Sequence, residues 1–110
     1  MSVSTHVLDT SHGRPAAGVD VRLEIQDGQV WRELGSARTD GDGRARDLDQ
    51  GRLESGIFRL RFGTGAYFGA LGMDSFHPEV TVVFRVEDPG EHHHVPLLVS
   101  PFGYTTYRGS

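Results

Sequence analysis

Apolar and polar residues alternate with a period of two along much of the chain. Residues 19–25 place valine, leucine or isoleucine at every second position, with charged side chains between them. Residues 58–62 repeat this alternation with phenylalanine and leucine around two arginines. Residues 80–87 are rich in β-branched side chains, which fit a pleated surface. Each of these segments is therefore predicted to form a strand with a buried face.

Turn sequences separate the predicted strands. The Asp-Gly pair at residues 27–28 lies between two such runs, where it is a strong hairpin signal. The sequences at 88–90 and 101–103 contain proline and glycine, which favour the dihedral angles of turns. Further strand candidates lie at residues 3–8, 30–34, 94–99 and 104–108. The predicted fold class is all-β, an antiparallel β-sandwich of seven to eight strands.

Two segments lack the alternation. Residues 64–73 carry alanine, leucine and methionine, and they predict one short helix with Thr64 as its N-cap. The three glycines of this segment weaken the helix, since each costs up to about 1 kcal/mol in a helix interior. Residues 39–51 form the most polar stretch. They are predicted to be a loop because they hold too few apolar residues for a strand.

Length and composition narrow the class of protein. The 110 residues fit one domain, residues 1–110, with one modest core. Eleven basic and fifteen acidic residues give a formal charge of −4, and without a basic block this argues against generic nucleic-acid binding. No apolar run is long enough to span a membrane. The lack of cysteine excludes disulfides, thiol catalysis and cysteine-bound zinc.

The sequence also carries an expectation about location. Residues 1–10 show neither the basic nor the apolar region of a secretory signal. A chain without cysteine fits a reducing compartment. We therefore expect a cytoplasmic protein, although a periplasmic form with its leader removed would read the same.

Histidines are the main candidates for chemistry, and three of the six are consecutive at residues 92–94. On a strand, His92 and His94 point to one face and His93 to the other. From the local sequence, three interpretations stay open: polar residues on an exposed edge strand, a metal site, or general acid–base catalysis. His92 and His94 are spaced so that both could bind zinc. Imidazole also titrates near neutral pH, which suits proton transfer.

Three other segments offer reactive groups. His6 lies on the first predicted strand, on the same face as Ser4 and Leu8. Arg44 lies in a glycine-rich loop, where a guanidinium could present its fork of donors to a planar carbonyl or an anion. Residues 107–110 supply a phenol ring, a hydroxyl and a carboxylate on an adaptable segment.

Three longer segments together resemble one known family. Residues 6–16 read HVLDTSHGRPA, residues 92–105 read HHHVPLLVSPFGYT, and residues 106–110 read TYRGS. They are similar to the opening I/V-L-D…G-x-P-A motif, the H-x-H-[VI]-P-L-L-[LV]-S-P-x-x-[YF] block and the Y-R-G-S ending of the transthyretin-like family, in its 5-hydroxyisourate hydrolase branch. Residues 39–44 and 76–79 fit as well, so the resemblance covers essentially the whole chain.

The resemblance also separates two branches of that family. Hormone-carrying transthyretins share the fold but lack the catalytic histidines, the loop arginine and the Y-R-G-S ending. The resemblance therefore implies a hydrolase acting on a cyclic amide, which opens 5-hydroxyisourate to 5-hydroxy-2-oxo-4-ureido-2,5-dihydro-1H-imidazole-5-carboxylate in urate degradation. It implies no cofactor and no metal.

A set of site residues follows from the resemblance. The implied catalytic residues are His6, Arg44, His94 and Ser110. The implied substrate-binding residues are His6, Arg44, Tyr107, Arg108 and Gly109, with His92 in support of His94.

The resemblance implies a role for each group. His6 and His94 are expected to position a water and take its proton, a contribution of about 10²–10⁴-fold, and which of them is the base stays open. Arg44 is expected to bind the ring and its developing negative charge. The tail from Tyr107 to Ser110 is expected to close the site, with Ser110 orienting the water or a histidine. No nucleophile-elbow motif supports Ser110 as a covalent nucleophile.

Two details qualify the match. His93 and His77 stand where the family usually has aromatic residues, and His93 is expected to affect packing or the surface rather than catalysis. A regular strand over residues 104–110 would point Tyr107 and Ser110 in opposite directions. The tail is therefore expected to bend after Arg108, which Gly109 permits.

The resemblance also implies an assembly. Family members are homotetramers, dimers of dimers with sites at the interface between dimers, so self-association and the small-molecule substrate are the expected partners. Neither nucleic acid nor membrane is expected. Two alternative functions stay open: a small-molecule carrier on the same fold, and a zinc hydrolase using His6, His92 and His94.

Overall fold

A computed structural model describes residues 2–110 and consists of two β-sheets and one short helix. The elements in chain order are β1 (Ser2–Asp9), β2 (Arg14–Pro15), β3 (Asp20–Asp27), β4 (Val30–Arg38), β5 (Arg44–Ala45), β6 (Gly56–Phe62), α1 (Thr64–Ala70), β7 (Val80–Val86), β8 (His92–Ser100) and β9 (Gly103–Thr106). Because β2 and β5 have only two residues each, the longer strands match the predicted number. The all-β sandwich is confirmed.

The strand order brings the two ends of the chain together. One sheet has the order β2-β1-β8-β9, with β5 also paired to β1, and the other has the order β4-β3-β6-β7. The pairing of β1 with β8 is parallel and runs from Ser2 opposite His92 to Asp9 opposite Val99. Every other strand pair within residues 2–110 is antiparallel. The histidine run therefore lies directly beside the first strand.

The alternation seen in the sequence becomes the boundary between core and surface. On β6, Phe58, Leu60 and Phe62 are fully buried between the sheets, whereas Arg59 and Arg61 are only half-buried on the other face. Burying one such apolar side chain contributes roughly 1.5–3 kcal/mol. This gain selects the register, because a shift by one residue would bury the arginines instead.

The hairpin between β3 and β4 forms where the Asp-Gly pair predicts it. Asp27 pairs with Val30, so Gly28 and Gln29 form the two-residue turn. Gly28 has a φ of 63°, which a residue without a Cβ adopts without steric cost.

The helix is shorter than predicted and its cap is different. It ends at Ala70 rather than at residue 73, and Gly63 occupies the N-cap position without a side-chain hydrogen bond. Thr64 is therefore not the cap: its side chain is buried, and within residues 2–110 its Oγ1 has no hydrogen-bond partner. No helix in this part of the chain combines the length and the hydropathy needed to cross a membrane.

The polar stretch at residues 39–51 is mostly loop but holds one strand. Arg44 and Ala45 form β5, where Arg44 pairs with His6. Leu48 is buried and its backbone N–H donates to the carbonyl of Val3. The composition of residues 39–51 did not predict this strand. Two residues are enough to form it because they pair with the edge of β1.

A buried carboxylate ties the turn after β1 to the helix. The Asp9 carboxylate accepts hydrogen bonds from Ser11 Oγ at 2.6 Å and Tyr67 OH at 2.8 Å, and His12 Nδ1 lies 2.6 Å away. Burial raises the pKa of Asp9, but these hydrogen bonds outweigh it and lower the pKa to about 2. The ionised carboxylate therefore stabilises the fold.

The free energy of unfolding should depend on this carboxylate in acid. Because its folded pKa lies below the unfolded value of 3.8, its contribution of about 2 kcal/mol is present above pH 4 and is lost as the pH falls toward 2. Urea unfolding should show Asp9→Asn to be less stable than wild type at pH 6, with the gap shrinking toward pH 2. Asp74→Asn, at an exposed carboxylate, is the matched control and should cost little at either pH. A constant gap would contradict the assignment.

Candidate active site

The candidate site is a cavity of about 290 Å³ over the first sheet. Strands β1 and β8 supply its floor, the segment around β5 supplies one wall, and the C-terminal residue reaches its rim. Its lining residues are Ser2, Ser4, Arg44, Arg46, Asp47, His92, His94 and Ser110.

A larger groove, of about 410 Å³, lies on the second sheet but offers less chemistry. Its charged side chains neutralise one another: Arg38 lies 2.8 Å from Asp20, and Arg61 lies 3.1 Å from Glu79. Such partly exposed pairs are typical of a solvated surface. The side chains suited to proton transfer, His92 and His94, line the cavity on the first sheet instead.

Parallel pairing places serines of β1 against the histidines of β8. Ser4 is opposite His94 and Ser2 is opposite His92. Ser4 Oγ lies 2.8 Å from His94 Nδ1 and 3.0 Å from His92 Nε2, and Ser2 Oγ lies 2.6 Å from His92 Nδ1. The two imidazole rings stack with centroids 6.2 Å apart. These contacts fix both rings and leave Nε2 of His94 without a serine partner.

His94 is held in a setting that favours the neutral imidazole. Burial is the main cause that lowers its pKa below 6.5, and the positive charges of His92, Arg44 and His6 lower it further. A neutral imidazole is the form that can accept a proton. Near pH 7, His94 is therefore a competent base.

Arg44 is positioned by a tight turn. The Asp40 carboxylate accepts hydrogen bonds from the backbone N–H groups of Asp42 and Arg44 at 2.9 and 3.0 Å. Gly43 between them has a φ of 78°, and a Cβ there would collide with the carbonyl of Val7. The sequence Asp-Gly-Arg thus turns the chain so that the guanidinium lines the cavity.

His6 lies beside the cavity and is tied to the same turn. It pairs with Arg44 across β1 and β5, and its Nε2 lies 2.8 Å from the carbonyl oxygen of Asp42. Because a carbonyl only accepts, this nitrogen must carry the proton. His94, whose Nε2 is free, is the better placed base of the two.

The C-terminal tail bends onto His94. Strand β9 ends at Thr106, and the Gly109 N–H donates to the carbonyl of His94 at 2.8 Å. A Cβ at Gly109 would lie 2.5 Å from His94 Cδ2, so only glycine allows this approach. Ser110 then lines the cavity.

Not every predicted site residue reaches this cavity within one chain. Tyr107 and Arg108 line a neighbouring groove of about 320 Å³ between β7 and β8, and Arg108 lies 3.7 Å from Glu91. Their part in substrate binding stays a prediction. His93 is buried on that side, with Nδ1 3.1 Å from the carbonyl of Glu91, as strand alternation predicts.

Sequence reasoning missed four lining residues: Ser2, Ser4, Arg46 and Asp47. Strand alternation does place Ser4 on the face of His6, but only the parallel register shows that it contacts two histidines. Arg46 and Asp47 follow the unpredicted strand β5, so the composition of their segment gave no signal.

The side chains of the described chain do not form a metal site. Within residues 2–110, no three histidine, aspartate or glutamate side chains are placed to hold one ion together. Both ring nitrogens of His92 and Nδ1 of His94 are occupied by serine hydroxyls, whereas zinc needs their lone pairs. The donor set does not fit the zinc hydrolase interpretation.

Comparison with known proteins agrees with the fold. A 5-hydroxyisourate hydrolase of Caulobacter vibrioides is 46% identical over 112 residues, which cover 98% of this chain and 97% of that protein. The Klebsiella pneumoniae 5-hydroxyisourate hydrolase structure superposes with a TM-score of 0.89 at 35% identity and covers all of both chains. Transthyretin from Sparus aurata has a TM-score of 0.90 at 31% identity, over 97% of this chain and 95% of the other. The HIUase/Transthyretin family matches residues 3–109, and the chain belongs to this family.

Proposed function

We propose that the chain is a 5-hydroxyisourate hydrolase that opens its substrate by general base catalysis. The observation that carries this proposal is one cavity in which a neutral imidazole, a guanidinium and a hydroxyl meet, from His94, Arg44 and Ser110. Relatives that bear this activity in their names match nearly the whole chain. Hydrolysis of a cyclic amide needs a base, a partner for the carbonyl oxygen and a proton for the leaving nitrogen.

The first step is attack of water on the carbonyl carbon. Nε2 of His94 takes a proton from the water as the new C–O bond forms. Negative charge develops on the carbonyl oxygen, and the Arg44 guanidinium offers donors to it. A donor preorganised at such an oxygen is worth about 10²–10³-fold in rate.

The second step breaks the C–N bond of the ring. The proton held at Nε2 of His94 passes to the leaving nitrogen, so the second water hydrogen stays on the new carboxylic acid. That acid ionises near neutral pH, since an ordinary carboxyl pKa is about 4. Each turnover therefore releases one proton. Ser110 lines the cavity and would orient the attacking water.

A small-molecule carrier is the second candidate, and the likeness to a transthyretin favours it. The two functions differ in one assay, in which the protein is mixed with freshly generated 5-hydroxyisourate and the decay of its ultraviolet absorbance is followed. The hydrolase accelerates the decay in proportion to enzyme concentration. A decay no faster than the spontaneous reaction would reject the hydrolase and leave the carrier.

The assembly we propose is a homotetramer that places its sites between dimers. Strands β7 and β9 each form one edge of their sheet, and unpaired strand edges are sites for pairing with another chain. Beside them, Phe76 is 72% exposed, Val83 is 60% exposed and Tyr107 is 57% exposed. A second copy would cover these side chains. Sedimentation should give about four chain masses, and an active monomer would refute the assembly.

We also place the activity in the cytoplasm, supported by a cysteine-free chain that suits a reducing compartment. Fractionation of the source cells with a periplasmic marker tests this location.

The pH dependence of catalysis should reflect the lowered pKa of His94. Since kcat/KM follows the ionisation of the free enzyme, activity should fall on the acid side through a midpoint below pH 6.5. Protonation removes the lone pair that accepts the water proton, so the enzyme should keep most of its activity at pH 6.5. A midpoint above pH 6.5 would show that the base is another group.

A further inference from the structure

Four side chains that line the cavity form a continuous line of hydrogen bonds along its wall. His94 Nδ1 contacts Ser4 Oγ at 2.8 Å, Ser4 Oγ contacts His92 Nε2 at 3.0 Å, and His92 Nδ1 contacts Ser2 Oγ at 2.6 Å. Ser4 is 6% exposed, whereas His92 at the outer end is exposed. Within residues 2–110, Nε2 of His94 has no hydrogen-bond partner, so it is left for a reacting water.

The donors and acceptors of this line allow two arrangements. In the first, His94 Nδ1–H donates to Ser4, Ser4 donates to His92 Nε2, and His92 Nδ1–H donates to Ser2. Nε2 of His94 then carries a free lone pair. In the second, every hydrogen bond is reversed and Nε2 of His94 carries a proton. A hydroxyl can link two imidazoles in this way because it both donates and accepts.

We propose that Ser4 is the positioning residue at the centre of a proton relay, which lets His94 serve as base and then as acid at the same nitrogen. This inference rests on the proposed hydrolase function and adds a residue to it. Ser4 lines the cavity, and its role in the relay is exerted through its contact with His94.

The relay keeps the protons in balance. When Nε2 takes a proton from the attacking water, the Nδ1 proton moves to Ser4, the Ser4 proton moves to His92, and the His92 Nδ1 proton leaves through Ser2 to solvent. When Nε2 gives its proton to the leaving nitrogen, each transfer runs backwards and one proton returns from solvent. The proton that each turnover releases is the one from the ionised product acid.

Electrostatics explain why such a relay helps. A fully protonated His94 would be a cation close to the positive charge of Arg44. Like charges at close range disfavour the cationic form. Moving the second proton outward leaves His94 neutral during the reaction.

The neighbouring strand residue shows what a purely structural hydroxyl does here. Thr5 Oγ1 donates to the backbone carbonyl of Val95 at 2.6 Å and is buried. It joins the same two strands without touching an imidazole. Thr5→Val is therefore a matched control for Ser4→Ala, because each removes one buried hydroxyl from β1.

The test compares kcat and KM for ring opening in wild type, Ser4→Ala, Ser4→Thr and Thr5→Val. Ser4→Ala should lower kcat at least about tenfold with KM within about threefold, since it removes part of a 10²–10⁴-fold acid–base contribution. Ser4→Thr keeps the hydroxyl and should stay within about threefold of wild type in kcat. Thr5→Val should lower the melting temperature but leave kcat within the same limit.

Added imidazole distinguishes a lost proton path from a structural defect, because only the first should be relieved by it. If Ser4→Ala has lost a proton path, its kcat should rise with imidazole concentration, whereas that of wild type should not. Wild-type kcat in Ser4→Ala, equal losses in Ser4→Ala and Ser4→Thr, or a loss that imidazole does not relieve would each overturn the relay. An inactive wild type would instead reject the hydrolase function itself.

Discussion

Replacing His94 by alanine is expected to lower kcat/KM for 5-hydroxyisourate by at least about 100-fold, a loss of about 2.7 kcal/mol in transition-state stabilisation. His94 is the imidazole on the cavity whose Nε2 is free and whose pKa is lowered by burial and by the charges of His92, Arg44 and His6. Without it, water must attack unassisted. Initial rates of absorbance decay in fresh substrate measure the effect.

Arg44→Ala should give a loss of the same order, for a different reason. Its guanidinium lines the cavity and would hold the oxygen that becomes negative. Arg44→Lys should recover only part of the activity, because an ammonium keeps the charge but lacks the planar fork of donors.

Two controls keep these results specific. His93→Tyr changes the residue next to His94 on the other side of the sheet, and Arg38→Ala removes an exposed arginine of the second sheet. Both should stay within about threefold of wild type in kcat/KM. Wild-type turnover in His94→Ala or Arg44→Ala would contradict the assignment of the site.

Gly109→Ala should be nearly as damaging, although it removes no reactive group. The added Cβ would lie 2.5 Å from His94 Cδ2 and 3.1 Å from a Pro96 ring carbon. Either the tail lifts, which withdraws Ser110, or the imidazole turns away from Ser4. A misplaced catalytic group of this kind can cost about 100-fold.

The matched control for this variant is Gly69→Ala on α1, where a Cβ meets nothing within 4 Å. Alanine there should raise the melting temperature slightly, since alanine stabilises a helix more than glycine does. It should leave kcat unchanged. Gly109→Ala should keep a wild-type melting temperature and lose kcat. Full activity in Gly109→Ala would show that the tail is not held against His94.

Local patterns predicted the fold well because burial enforces them. The alternation on β6 and the Asp-Gly turn follow from short-range sterics and from one buried face, so they can be read from neighbouring residues. Strand β5 could not, since two residues become a strand only when β1 offers its edge. Gly63, at the N-cap, likewise makes a long-range contact, since its N–H donates to the carbonyl of Asp20.

The site was harder to predict for the same reason. Alternation separates His92 and His94 from His93, and family motifs single out Arg44 and Ser110. No local pattern pairs Ser4 with two imidazoles, because the parallel register of β1 and β8 joins residues about ninety positions apart. Long-range pairing decides which hydroxyl meets which ring.

The parallel pair has a further consequence for how the molecule acquires activity. Residues 2–9 and 92–99 come together only after a loop of nearly the whole chain has closed, and such non-local pairing is slow compared with hairpin formation. A partly refolded chain could hold its second sheet, which is built from residues 20–86, and still be catalytically silent. Recovery of turnover after dilution from denaturant would then measure how fast β1 and β8 pair. Tryptophan fluorescence from Trp31 on β4 would report the earlier formation of the hairpin.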